Sequence, residues 1–242
     1  MEQNVICPYP PPRKPTHLDL FSGIGGFKIA AQAAGFRTIG FSEIDPYASA
    51  VLKKHWPEII NYGDIRAIPD GRCDLITGGF PCQPFSTAGH RRGADDDRFL
   101  WPSMFDVIKR WKPYWVLGEN VVNLVNMELE GCLVDLEGIG YEVQSIVIPA
   151  CGVGARHRRD RVWIVAHAVG ERLEGQCQVG ATSRATHGPS NECNPAIWPV
   201  EPAICRVVNG IPNRPHRLKG LGNAIVPQIA EIILKEMRKF LP

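Results

Sequence analysis

The segment GGFPCQPFSTAGHRRG, residues 78–93, carries a cysteine on what reads as a loop at the end of a strand. Two glycines open it, Pro81 and Pro84 bracket Cys82 and Gln83, and paired arginines lie near its close. Cysteines are mostly small buried hydrophobes, but this polar, glycine-rich setting separates Cys82 from the other seven. A free thiol with a pKa near 8.5 is only about 3% thiolate at neutral pH, so a nucleophilic cysteine needs a site that lowers its pKa or takes its proton. A helix N-terminus or nearby arginines would serve.

Two more stretches hold groups that suit a reaction. In LGENV, Glu119 closes an apolar run, which brings it to the same rim as Cys82. A carboxyl kept protonated by desolvation can donate to a ring nitrogen; the plainer reading is a surface acid at a helix start. In ARHRRDRVWIVA, Arg156, Arg158, Arg159 and Arg161 surround one acid, Asp160, directly before a buried strand. Solvated charge runs are common, yet Arg161, beside an interior strand, is placed to reach a site. The other arginines suit phosphates. Arg206, Arg214, Arg217 and Lys219 form a second basic patch and a further polyanion-facing side.

A binding site for a small molecule is also legible. In DLFSGIGGF, Gly23, Gly25 and Gly26 lie between a strand and a helix, where bare backbone admits a ligand closely. Glu43, in SEID at the end of the next strand, stands where an acid holds a ribose hydroxyl pair. Asp64, in GDIR, is placed to accept from an adenine amino group, or else simply forms a turn. With no phosphate-binding lysine pattern, the set favours a neutral or cationic nucleoside.

These residues sit on alternating strands and helices. THLDLF, TIGFSEID, CDLITGG, YWVLGEN, YEVQSIVIPA and RVWIVAHA read as strands. Helices are expected in GFKIAAQAAGF, in PYASAVLKKHW opened by Pro46, in LWPSMFDVIKRW, over most of VNLVNMELEGCLVDLEGIG, and as one final amphipathic element over GNAIVPQIAEIILKEMRKFL. The order predicts an α/β fold, a mostly parallel sheet with helices on both faces and ligands at the carboxyl ends of its strands. Residues 1–15 are proline-rich and aperiodic and read as a flexible arm; 16–166 and 206–242 make the main domain, and 167–205 a variable insert.

The totals agree with a single core. At 242 residues and 44% hydrophobic, one good core can be buried. A net charge of +2 leaves any polyanion to local patches. Eight scattered cysteines, with no C-x-x-C pair, zinc-ligand spacing or signal peptide, point to free thiols in a reducing cytoplasm and to no metal site. No apolar run approaches the roughly 20 residues that span a bilayer.

Taken in order, GGFPCQPFS, GENV and RRDRV, behind the glycine loop, resemble the cytosine-5 methyltransferases that act on DNA and use S-adenosylmethionine. The likeness runs from about Asp19 to Val165 and from Lys219 to Ile229. It implies the Rossmann-like S-adenosylmethionine-dependent fold and a role for each matching position. Phe21, Ser22, Gly23 and Gly25 would line the methyl donor, Glu43 would bind its ribose, and Asp64 and Ile65 its adenine. Ile44, Pro81, Asn223 and Ala224 would complete that pocket. Cys82 would be the nucleophile, Glu119 would bond the ring nitrogen, and Arg159 and Arg161 would steady the base and the catalytic loop. The insert at about 167–205 stands where the family carries target recognition, and it is short, as in versions carried by phages. Ile44 replaces a common aromatic, and His157 a common glutamine. Double-stranded DNA is the implied partner, a cognate restriction endonuclease a candidate second one, and a monomer the expected state.

Three rival functions compete. RNA can be the substrate, as in tRNA-methylating relatives of the same family. A catalytically silent nucleic-acid-binding regulator is disfavoured by the intact Cys82, Glu119 and Arg161. A cysteine hydrolase would need a histidine base, and only His90 adjoins the loop.

Overall fold

The computed structural model describes residues 13–81, 100–126, 128–169 and 214–241. Among these residues, seven strands form one sheet in the order β3-β2-β1-β4-β5-β7-β6. They are β1 (Thr16–Leu20), β2 (Arg37–Ser42), β3 (Ile60–Asn61), β4 (Leu75–Gly78), β5 (Trp115–Val121), β6 (Tyr141–Pro149) and β7 (Asp160–Ala168). The first five run parallel, whereas β7 pairs antiparallel with both β5 and β6. The central strands β1 and β4 are almost wholly buried, as strands covered on both faces must be.

The chain winds outward from β1 to β2 and β3, then returns to place β4 on the other side of β1. This reversal opens a crevice at the carboxyl ends of β1 and β4, where sheets of this kind bind ligands. Both central strands end there on candidate residues, Phe21 to Gly23 after β1 and Gly79 to Pro81 after β4.

Among the described residues, six helices accompany the sheet: α1 (Gly26–Ala33), α2 (Pro46–His55), α3 (Trp101–Trp111), α4 (Leu129–Gly138), α5 (Arg214–Asn223) and α6 (Pro227–Arg238). One core joins α3 and α4 to the sheet through Met104, Ile108, Leu136 and Ile164. The other joins α1 and α6 through Phe27, Ala30, Ile229 and Leu234, around the fully buried Trp163. Asp45 starts α2 by accepting from the Tyr47 and Ala48 amides, with Pro46 at the first helical position.

The expected final helix starts later, at Pro227, and its first two residues, Gly222 and Asn223, instead end the separate helix α5. Ala224, Ile225 and Val226 lie between the two, and Pro227 begins α6. Ile225 turns inward there: a Cβ on Gly26 would stand 2.8 Å from its Cγ1. The glycine therefore lets the carboxyl-terminal segment pack against the start of α1.

A polar chain crosses the sheet beneath the crevice. His17 of β1 meets Thr38 of β2 at 2.9 Å and Thr77 of β4 at 2.8 Å, and Thr77 donates to Asp19 at 3.3 Å. All four are buried. Burial lowers the His17 pKa to about 3 and raises that of Asp19 to about 8, so both side chains are held neutral. No helix among the described residues is long and apolar enough to cross a membrane.

Candidate active site

A cleft of about 360 Å³ runs over the strand ends, within the size range of small-molecule sites. Among the residues expected to hold a donor, Phe21, Gly23, Glu43, Ile44, Asp64, Ile65, Pro81 and Asn223 line it. Ser22, Gly25 and Ala224 do not line it. The Ser22 hydroxyl donates to the Asp19 carbonyl and its amide to the Ser42 carbonyl, tying the end of β1 to that of β2. Gly25 has φ +90°, and a Cβ there would stand 2.3 Å from the Trp56 ring. It packs the loop rather than facing the cleft.

Glu43 is anchored at both of its carboxylate oxygens. Its Oε2 accepts from the Gly23 amide and its Oε1 from the Asp45 amide, both at 2.7 Å. Asn61, which the sequence did not reveal, accepts from the Glu43 amide and donates to its carbonyl. A carboxylate oxygen has about two acceptor positions, so each keeps one for a ligand. Phe21, with φ +53°, occupies the left-handed region that side chains rarely adopt. Such strain at a cleft is a recurring mark of function.

Asp64 forms a turn and also lies in the cleft. It caps a 3₁₀ turn, Ile65–Ala67, by accepting from the Arg66 amide at 2.9 Å, and it lines the cleft. The Arg66 guanidinium also grips it, and that hydrogen bond holds the carboxyl down at about 2. Ile44 is 70% exposed, an open apolar wall.

The cleft continues toward the acid expected to act on a base. Glu119 of β5 is 8% exposed and receives the Arg161 Nε of β7 at 2.9 Å. The pair exists because β7 runs antiparallel beside β5, bringing the end of one next to the start of the other. Burial raises the Glu119 pKa to about 7, outweighing the opposing pull of Arg161 and Arg159. Near neutral pH the group therefore divides between acid and carboxylate. A Cβ on Gly79 would stand 3.4 Å from Glu119 Oε2, so that oxygen faces the strand-end loop.

Cys82 itself lies outside the described residues, as does most of the insert. Pro81, immediately before Cys82, lines the cleft. The buried Asn120, another residue the sequence reading missed, donates from Nδ2 to the Phe80 carbonyl at 2.9 Å. It fastens the segment leading to Cys82 onto the strand that carries Glu119. Its place in the quoted GENV was the available signal.

Arg159, close enough to Glu119 to pull on its carboxyl, also reaches the carboxyl-terminal segment. With φ +38°, it donates from Nη2 to the carbonyls of Gly222 and Ala224, both at 2.7 Å. A cation at the end of α5 is favoured there by the unpaired carbonyls. Arg159 thus joins the arginine motif to the carboxyl-terminal segment. Lys219, read with a polyanion-facing patch, instead lines the cleft and pairs with Asp45 at 2.8 Å.

Comparison with known proteins places this arrangement. The family model for C-5 cytosine-specific DNA methylase matches residues 16–203. The Type II methyltransferase M.HgiCII of Herpetosiphon aurantiacus is 35% identical over 61% of this chain and 36% of its own. The orphan methyltransferase M.SPRI of Bacillus phage SPR is 34% identical over 61% of this chain and 36% of its own. Among solved structures, the S. pombe Dnmt2 methyltransferase superposes with a TM-score of 0.55 at 24% identity, over 65% of this chain and 52% of that one. This likeness extends to the Rossmann-like fold. The chain spans less than half the length of these curated relatives.

Proposed function

Because the chain belongs to the C-5 cytosine-specific DNA methylase family, we propose that it methylates carbon 5 of cytosine in duplex DNA, with S-adenosylmethionine as the donor. The observation that carries this reading is one continuous cleft. It joins the anchored Glu43 to Pro81, next to Cys82, with an oxygen of Glu119 facing the same loop.

The donor supplies an electrophilic sulfonium methyl. Glu43 offers its two remaining acceptor positions to the ribose hydroxyls, and Asp64 offers an acceptor to the adenine amino group. Phe21 and Ile44 supply apolar contact. The residues present fit that group without a metal or a phosphate-binding loop.

Carbon 5 of cytosine is a poor nucleophile. Addition of the Cys82 thiolate to carbon 6, with Glu119 supporting a proton at the ring nitrogen, places electron density on carbon 5. That carbon would take the methyl as the S–CH3 bond breaks and the donor leaves as its neutral thioether; a base would then remove the carbon-5 proton, and the thiolate would leave as the ring double bond reforms. The covalent adduct divides one difficult step into easier ones. Arg161 holds the Glu119 carboxyl in place. The target atoms are stacked inside a duplex, so the nucleotide must flip out, at a cost of a few kcal/mol. Arg156, exposed at the mouth of β7, is placed for phosphates, whereas the exposed Arg158 is paired with Asp160 at 2.8 Å.

The test is trapping. Fluorine at carbon 5 prevents proton loss, so a pooled DNA library containing 5-fluorocytosine, incubated with donor, should give a complex that survives denaturing gels. Cys82→Ser should abolish the complex and methyl transfer while leaving donor binding intact. Tritiated methyl appearing in tRNA but not in DNA would overturn the choice of substrate. Methylation of DNA without any trapped library member would overturn the covalent route.

A further inference from the structure

The edge of the sheet opposite the crevice carries a row of cations. Strands β2, β1, β4 and β5 are neighbours and run parallel, so their first residues share that edge. Each is opened or preceded by an exposed basic residue: Arg37 begins β2, Lys14 stands just before β1, Arg72 before β4 and Lys112 before β5. The segments that carry them are joined. The Arg37 amide donates to the Pro15 carbonyl, the Asp74 amide to that of Thr16, and the Trp115 amide to that of Asp74. With strands about 4.8 Å apart, the row is about 14 Å long.

Nothing in the fold calls for this charge. Lys112 ends α3, where the helix dipole favours a cation, but the other three lie at strand ends, where dipoles are small. Like charges on adjacent strands also repel one another. The acids at this edge have other partners: Asp74 pairs with Arg13, Asp70 and Asp106 with Arg110, and Glu142 with His167. None of the four cations of the row pairs with an acid among the described residues. The whole chain has a net charge of only +2, so the row gathers charge that the rest of the surface offsets.

We propose that this row binds a second segment of duplex DNA, apart from the one whose cytosine enters the crevice. Phosphates recur about every 3.4 Å along one strand, so a row about 14 Å long faces about four of them. The 5 residues of β1 put about 17 Å of sheet between the row and the crevice. Duplex DNA is stiff over about 150 base pairs, so a segment seated at the crevice does not turn back to the row within one site. A chain that holds two segments stays on long DNA while its crevice leaves one site and meets the next. The choice of DNA as partner rests on the substrate reading above; the row itself shares no residue with the cleft.

A bridging assay tests the row. The full chain is bound to a long immobilised duplex, and retention of a short labelled dA·dT duplex, which has no cytosine, is measured without donor. Wild-type protein should retain it, and retention should weaken about 100-fold between about 50 and 200 mM salt, as counterion release from about four phosphates requires. Lys14→Ser, Arg37→Thr, Arg72→Ser and Lys112→Asn are then combined, the last because asparagine tolerates the φ of +45° at that position. The combined variant should lose retention about tenfold or more and methylate a short duplex within about twofold of wild type. Arg37→Thr or Arg72→Ser alone should lower retention about threefold, so the result does not hinge on one variant. No retention by the wild type, or undiminished retention by the combined variant, would overturn the proposal, as would tighter retention of tRNA than of duplex. A wild-type chain that retains the second duplex but methylates no DNA would overturn the substrate reading while supporting this one.

Discussion

Replacing Glu43 tests whether its two oxygens serve the donor as well as the fold. Both already accept a backbone amide at 2.7 Å, one from Gly23 and one from Asp45. In Glu43→Ala the ribose loses its charge-assisted acceptors, which should weaken donor binding by about 1.5–3 kcal/mol, or about 10- to 150-fold. The same change leaves the two amides without their acceptors, a separate stability loss of about 1–3 kcal/mol. Glu43→Gln is the sharper variant. Its amide nitrogen must face one of two N–H donors, so it cannot reproduce the clamp in either orientation. It should lose donor affinity and stability nearly as Ala does. Titration with S-adenosylhomocysteine measures the first quantity, and urea unfolding followed by tryptophan fluorescence measures the second. Wild-type affinity in Glu43→Gln would refute the two-sided clamp. Unchanged affinity in Glu43→Ala would reduce Glu43 to a loop fastener.

Glu119, with its pKa raised to about 7, should control a pH limb of the reaction. The ratio of wild-type to Glu119→Gln rate cancels the ionisation of the thiol, and it should fall about tenfold per pH unit above 7; a constant ratio from pH 7 to 9 would count against the acid role. Asp19, raised from 3.8 to about 8, keeps a proton in the fold that the unfolded chain releases, so stability should fall as pH rises through that window. Glu119 makes the same kind of contribution between 4.5 and about 7, whereas His17, lowered to about 3, opposes both below pH 6.5. Between pH 7 and 8 Asp19 alone of the three remains, and Asp19→Asn should flatten the urea midpoint there. Gly25→Ala and Gly35→Ala both force a side chain to positive φ, but only Gly25 meets the Trp56 ring. Gly35→Ala should cost about 1–2 kcal/mol, and Gly25→Ala about 1–3 kcal/mol more through overpacking; equal losses would mean that Trp56 yields freely.

Local patterns were enough for much of this molecule. The buried run of β4, Asp45 and Pro46 opening α2, and Gly35 closing α1 each signal their element within a few residues, because caps, turns and apolar periods act at short range. Glu43 and Pro81 could likewise be placed at strand ends, and the strand order of an alternating chain brings such ends to one rim. What depended on distant partners did not show. The helix α5 has a polar sequence with two glycines, RPHRLKGLGN, and nothing in it announces a helix. Contacts far along the chain hold it, Arg159 at its last carbonyls, Tyr47 under His216 and Asp45 on Lys219. The two-residue β3 exists through its pairing with β2. Antiparallel β7 decides that Arg161 meets Glu119, and burial, which only the assembled core supplies, decides that Glu119 titrates near neutrality. Residue type and spacing set which groups were available for chemistry; the tertiary structure set which of them face each other and how far each is removed from water.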